Sequence, residues 1–273
     1  MMMPLSKDKR FLYSRFVLLG ALIGAIGFAF AGFKGFPAWY GGFVFCFWVA
    51  FGLINIKQKS TLWLAVQRPV IFALFYIALT GASILADQFG VNNHLWFYPN
   101  YAGMKIVWVY LVLYPFGALS LLEFFYFLSG FFGEKLSFKK GPDTLWHGFF
   151  DISEHLLFLL MTGMIVAGAL GFGVSIGIAT TVAVLWFAFA LVKLRIHVRH
   201  SGHYLLILVL TVVLALLVHQ LPNTVAREWV YLQAPFLNMA LLGLPIWVWV
   251  GWCWLLLVPL RLWIVLVLHP RIK

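Results

Sequence analysis

Residues 203–221 read HYLLILVLTVVLALLVHQL, with no charged side chain between His203 and His219. At about 1.5 Å of rise per residue such a helix reaches close to the roughly 30 Å of a bilayer's hydrocarbon core. The run shows neither the alternation of a barrel strand nor the polar stripe of a water-facing helix, so lipid is its solvent. Because unpaired backbone groups are costly in hydrocarbon, the run must be helical. Working outward, comparable apolar runs cover 11–33, 36–56, 69–87, 103–126, 148–170, 172–193 and 239–260. The sequence therefore predicts an all-α integral membrane protein with eight transmembrane helices, the 273 residues forming a single polytopic domain.

Composition agrees with that prediction. The chain is 64% hydrophobic and carries only eight carboxylates, too few to clothe a water-soluble domain of this length. Its net charge of +11 raises the possibility of nucleic acid, but the basic residues sit in short clusters between apolar runs, as membrane topology requires. The clusters are Lys7 to Arg15 at the N-terminus, Lys57 to Arg68, Lys135 to Lys140, Lys193 to Arg199, and Arg261 to Lys273. Sixteen of the 19 Lys and Arg residues fall there, and Lys34, Lys105 and Arg227 fall in the intervening loops. With eight helices this alternation places both termini in the cytoplasm. Ala29-Phe30-Ala31 has the small-residue spacing of a signal-peptide cleavage site, but the length of the run favours a retained first helix. Cys46 and Cys253 lie inside apolar runs, where a thiol behaves as a small hydrophobe.

The chain has the look of an internal duplication. Trp96-Phe97-Tyr98 after the third run recurs as Trp229-Val230-Tyr231 after the seventh, which divides the protein into repeats 1–135 and 136–273. Four helices per repeat would keep both copies in the same orientation, related by an axis along the membrane normal.

Ionisable residues within or beside the spans are the first candidates for chemistry, because burying each costs a few kcal/mol. Glu123 is flanked by Leu121, Leu122, Phe124 and Phe125 near the cytoplasmic end of the fourth helix. His147, Asp151, Glu154 and His155 fall on one face of the fifth helix at its cytoplasmic start. The sixth loop adds His197, His200 and His203. Glu123, Asp151, Glu154 and His155 form a candidate catalytic set, able to act as acid and base. His147, His155, His197, His200 and His203 form a candidate ligand set for a divalent metal such as zinc or iron. On the opposite side Asp87, His94, His219 and Glu228 read as caps or interface residues, and Pro115 and Pro245 as breaks in the fourth and eighth helices.

Asp87-Gln88-Phe89-Gly90, Leu95-Trp96-Phe97-Tyr98 and Leu121-Leu122-Glu123-Phe124-Phe125 resemble the membrane lycopene cyclase domains of bacteria and archaea. Those domains carry an acidic residue after a helix, a Trp-x-Tyr loop, and a Pro-Leu-Glu-Glu segment leading into phenylalanines. The likeness covers about 40 residues. This chain lacks the proline before Leu121, has a single Glu there, and carries no acid in the second-half segment Pro245-Ile246-Trp247-Val248. The resemblance implies an enzyme of a bacterial plasma membrane that protonates a carotenoid-like isoprenoid, with Glu123 matching a catalytic glutamate. The residues alone also accommodate a proton-coupled transporter of small solutes, and a non-catalytic subunit or assembly factor. In every case the first partner is the bilayer.

Overall fold

The computed structural model describes residues 7–58, 60–101, 103, 106–133, 145–197, 201–232, 239–241, 244–263 and 266–267. Nearly all of them are helical. The first hairpin is α1 (Lys7–Phe33) and α2 (Trp39–Ile54), followed by a short α3 (Thr61–Gln67) and the long α4 (Pro69–Asn92). Then α5 (Ile106–Trp108) runs through a π turn (Val109–Leu113) into α6 (Tyr114–Phe131). The second half holds α7 (Leu145–Ala169), α8 (Ile176–His197), α9 (Ser201–Ala226) and α10 (Ile246–Trp263). Among the described residues six helices are long and apolar enough to cross a membrane, and α2 and the described part of α8 are shorter apolar helices. Large apolar side chains such as Ile26, Val70, Ile77 and Leu159 lie on the outside. A chain that leaves this much hydrocarbon uncovered on its long helices belongs in a bilayer.

α6 is the central post. It packs against α2, α4, α9 and α10, while α1 leans on α2 and α7 on α8. Leu119, Leu122 and Phe125 on α6, Ile207 and Leu216 on α9, and Leu256 on α10 are fully buried in one continuous core. The π turn ahead of α6 has a local cause. Pro115 has no N–H to give to the carbonyl of Leu111, and the Tyr76 hydroxyl donates to that carbonyl instead.

Several boundaries differ from those the apolar runs predict. α4 continues to Asn92 rather than stopping at residue 87, because Asn92 Nδ2 donates to the carbonyls of Gly168 and Ala169 at the end of α7 (3.2 and 3.0 Å). The polar amide thereby satisfies carbonyls that a helix end leaves unpaired. The segment 57–68, expected to be a loop, contains α3. Pro245 does not break the last helix. It closes a small hairpin in which β3 (Ala240–Leu241) pairs with β4 (Leu244–Pro245), and α10 starts at the next residue.

The two Trp-x-Tyr motifs meet. β1 (Trp96–Phe97) and β2 (Val230–Tyr231) pair antiparallel, with Trp96 opposite Tyr231 and Phe97 opposite Val230. Leu232 N donates to Leu95 O at 2.8 Å, extending the ribbon. This ribbon marks one end of the bundle. The turn after α2, with Lys57, Arg68 and Arg261 among the described basic residues, marks the other, basic end.

Candidate functional site

Beneath the ribbon lies a cavity of about 150 Å³ walled by α4, α6, α9, α10 and both ribbon strands. Its wall is largely aromatic, with Tyr40, Trp96, Tyr114, Trp229, Tyr231 and Trp252 among the lining residues. Ring faces carry partial negative charge, so such a wall accepts both hydrocarbon and a positive centre developing within it.

Behind the wall of this cavity stands Asp87, fully buried on α4 next to the lining residue Ala86. Its Oδ1 accepts three hydrogen bonds, from Trp96 Nε1 (2.9 Å), Tyr98 OH (2.6 Å) and Tyr114 OH (2.8 Å). All three donors line the cavity. Asp87 Oδ2 is buried and none of these three donors reaches it, while the Tyr110 hydroxyl, which accepts from the Gln88 amide, stands beside the carboxylate and hydrogen-bonds to it. Burial and the Asp87 carboxylate hold the Tyr98 hydroxyl well above the ordinary tyrosine range, which keeps it a donor. The geometry depends on Gly90, because a Cβ there would stand 2.0 Å from the Trp96 ring. Glycine is what lets the indole lie against α4 and reach back to Asp87.

The second half presents the same pattern with a different head group. Gln220 lies as far before Trp229 as Asp87 lies before Trp96. Gln220 Nε2 (2.8 Å) and Trp229 Nε1 (3.1 Å) both donate to Tyr231 OH. A carboxamide thus occupies the place of the carboxylate. Beside it, the buried His219 places Nδ1 2.7 Å from Tyr40 OH, and its Nε2 has no partner among the described residues.

Glu228 closes this end. The residue preceding α2, Ala38, is in the left-handed region (φ 62°) and supplies no capping side chain. Glu228 does so from across the bundle, accepting from Tyr40 N at 3.4 Å and from Tyr101 OH at 3.2 Å. Burial pushes its carboxyl up to about 7, against the opposing pull of the amides at the start of α2.

No family model, curated protein or solved structure matches this chain.

At the basic end, Glu123 is fully buried on α6. Oε1 accepts from Thr61 Oγ1 (2.6 Å) and Leu62 N (3.0 Å), and Oε2 from Asn55 Nδ2 (2.9 Å). Asn55 Nδ2 also reaches the Glu123 carbonyl at 2.6 Å. Glu123 therefore clamps the turn between α2 and α3 to the central helix. Glu154, 2% exposed, pairs with Arg261 and accepts from Trp186 Nε1 at 2.8 Å, joining α7, α8 and α10. Arg261 also lies over the Phe158 ring, 4.1 Å from its centroid. His155 is exposed, with Nδ1 3.5 Å from Glu154 Oε2, and His203 is exposed. The side chains of His147, Asp151 and His197, and all of His200, lie outside the described residues. Among the described residues no three His, Cys, Asp or Glu side chains are grouped to hold a metal ion.

Sequence reasoning names Asp87, His219 and Glu228 but reads them as caps or interface residues. For Glu228 that reading matches its contacts. For Asp87 the decisive partners, Trp96, Tyr98 and Tyr114, come from two other segments, and the missed signal is the pairing of the two Trp-x-Tyr motifs that brings the walls together.

Proposed function

We propose that this chain is a membrane enzyme that transfers a proton to a carbon–carbon double bond of an isoprenoid or carotenoid-like substrate held in the aromatic cavity. The observation that carries the proposal is Asp87, fully buried behind the wall of an apolar chamber, with three donors of that wall converging on Oδ1 and none of them on Oδ2. In this reading the acid proton resides on Oδ2. Transfer forms a C–H bond, leaves a carbocation on the substrate and an anion on Asp87, and the donors on Oδ1 stabilise that anion. The aromatic wall stabilises the cation until a neighbouring double bond captures it or a proton leaves. Water, the competing nucleophile, is kept out by the apolar wall. Loss of a proton from the carbon next to the cationic centre, back to the Asp87 carboxylate, regenerates the acid and completes a redox-neutral isomerisation.

The same reading makes α1, α2, α4, α6, α7, α8, α9 and α10 eight crossings, with the basic end in the cytoplasm of a bacterial plasma membrane. The pairing of Trp96-Phe97-Tyr98 with Trp229-Val230-Tyr231 supports two repeats facing each other across one cavity. Glu123 and Glu154 then anchor the bundle, and metal binding by the histidines of the basic end is not needed for the proposed step.

The test is mass spectrometry of pigment and lipid extracts from membranes that make acyclic polyenes and express the wild type, Asp87→Asn or Glu123→Gln at matched levels. A new product isomeric with its precursor is expected with the wild type. It should fall at least about a hundredfold in Asp87→Asn and persist in Glu123→Gln. Extracts indistinguishable with and without the wild type would overturn the enzyme reading, and loss confined to Glu123→Gln would move the acid to the basic end.

A further inference from the structure

A second cavity, of about 140 Å³, lies beside the first and is walled by α4, α7, α8 and α10. The two share Ala86, Trp96, Trp247, Gly251 and Trp254 as a common wall. Trp96 and Trp247 are stacked in that wall, with centroids 5.9 Å apart and an interplanar angle of 21°. Trp254 is held by its indole N–H against Met161 Sδ at 2.8 Å. Between them sits Gly251. Apart from its chain neighbours and the backbone of its own helix, no atom of the described residues lies within 4 Å of the position a Cβ would take there. At Gly251 the common wall therefore carries no side chain, and there is room for one.

The character of the second cavity differs from that of the first. Ala179 and Ala183 on α8 and Met161 and Met164 on α7 give it small and deformable sides. Thr180 is its one polar side chain apart from the indoles. Nothing in its lining would fix a head group or carry out acid–base chemistry. It is suited to hold the middle of a chain.

Resting on the proton-transfer reading above, we infer that one linear apolar chain occupies both cavities, its reacting double bond beside Asp87 and its remainder passing Gly251 to lie between α4, α7 and α8. Substrate choice is then by length. A short polyene fits the first cavity alone, and a long one requires the passage at Gly251. A phospholipid acyl chain shares the linear apolar chemistry, so the experiment separates that source from a polyene.

The experiment is quenching of tryptophan fluorescence in nanodiscs of saturated phosphatidylcholine, titrated with retinol, with lycopene, which is twice as long, and with a phospholipid bearing a cis-parinaroyl chain. Wild type is compared with Gly251→Leu, whose side chain fills the passage from α10, and with Ala183→Trp, which fills the second cavity from α8. Retinol affinity is expected to stay within about twofold in Ala183→Trp, which touches only the second cavity, while lycopene affinity falls tenfold or more in both variants. Equal lycopene affinity in wild type and both variants would overturn the inference. So would displacement of the parinaroyl lipid, but not of lycopene, by the two substitutions, since a lipid would then own the second cavity. The readout is binding, so a protein that discriminates by length but makes no isomeric product would sink the reaction and leave this assignment standing.

Discussion

The two ends of the bundle each bury carboxylates, and they treat them in opposite ways. At the basic end, Glu123 has donors on both oxygens and Glu154 has an arginine and an indole. At the ribbon end, Asp87 has three donors of the cavity wall on one oxygen and none of them on the other, and a cavity beside it. A carboxylate whose lone pairs are matched to its surroundings holds elements together, and moving a proton onto it would break those bonds. One whose wall donors all converge on a single oxygen can take or give a proton on the other without losing them. Burial alone does not distinguish the two cases, because Asp87 and Glu123 are equally inaccessible.

That contrast can be broken from the basic end first. Removing Glu154 takes away a carboxylate, 2% exposed, that pairs with Arg261. Glu154→Leu is expected to lower stability by about 3–5 kcal/mol, read as a fall in thermal midpoint in detergent. The double change Glu154→Leu, Arg261→Leu should recover most of that loss, since it removes both charges. A single variant as stable as wild type would mean that the pair does not anchor α7 to α10.

At the ribbon end the sharper probe is pH. The folded protein raises the Glu228 carboxyl from 4.5 to about 7, so the folded state prefers the neutral form. Stability from this group is complete below about 4.5, declines as pH rises through that window and levels off above about 7. The amplitude is on the order of 3 kcal/mol. A thermal-midpoint profile between these pH values should slope downward in the wild type and flatten in Glu228→Gln. An unchanged slope in the variant would assign the titration elsewhere.

The smallest effect tests the seating of Trp96. Gly90→Ala places a methyl where the indole lies and is expected to cost about 1–3 kcal/mol by overpacking. Its clearer signature is spectroscopic, a red shift of tryptophan emission as Trp96 loses Asp87. An unshifted spectrum would show that the indole can leave α4 without consequence.

The long apolar runs make the helices legible because lipid leaves the backbone no other option. Less legible are the places where polar residues find partners far away in sequence. Gln88 and Asn92 read as the end of a span, yet α4 runs on to Asn92 because that side chain caps α7. The seven residues of α3 are too few to register as a span, and they are held by Glu123 rather than by their own periodicity. Glu123 stands out in the sequence as a carboxylate among leucines and phenylalanines, whereas its partners Asn55 and Thr61 look like ordinary loop residues. Asp87 shows the reverse. The role proposed for it depends on how its donors divide between the two oxygens, a property of geometry that no spacing encodes.

The ribbon has a consequence for how the molecule is made. β1 leaves the ribosome more than a hundred residues ahead of β2, so Trp96 and Phe97 wait without a partner while α5 through α9 are inserted. Until Val230 and Tyr231 arrive, the chamber lacks part of its wall and Trp96 lacks the strand opposite it. The chamber beside Asp87 is therefore completed only by the last part of the chain, β2 and then α10, and the nascent first half has no roof of its own.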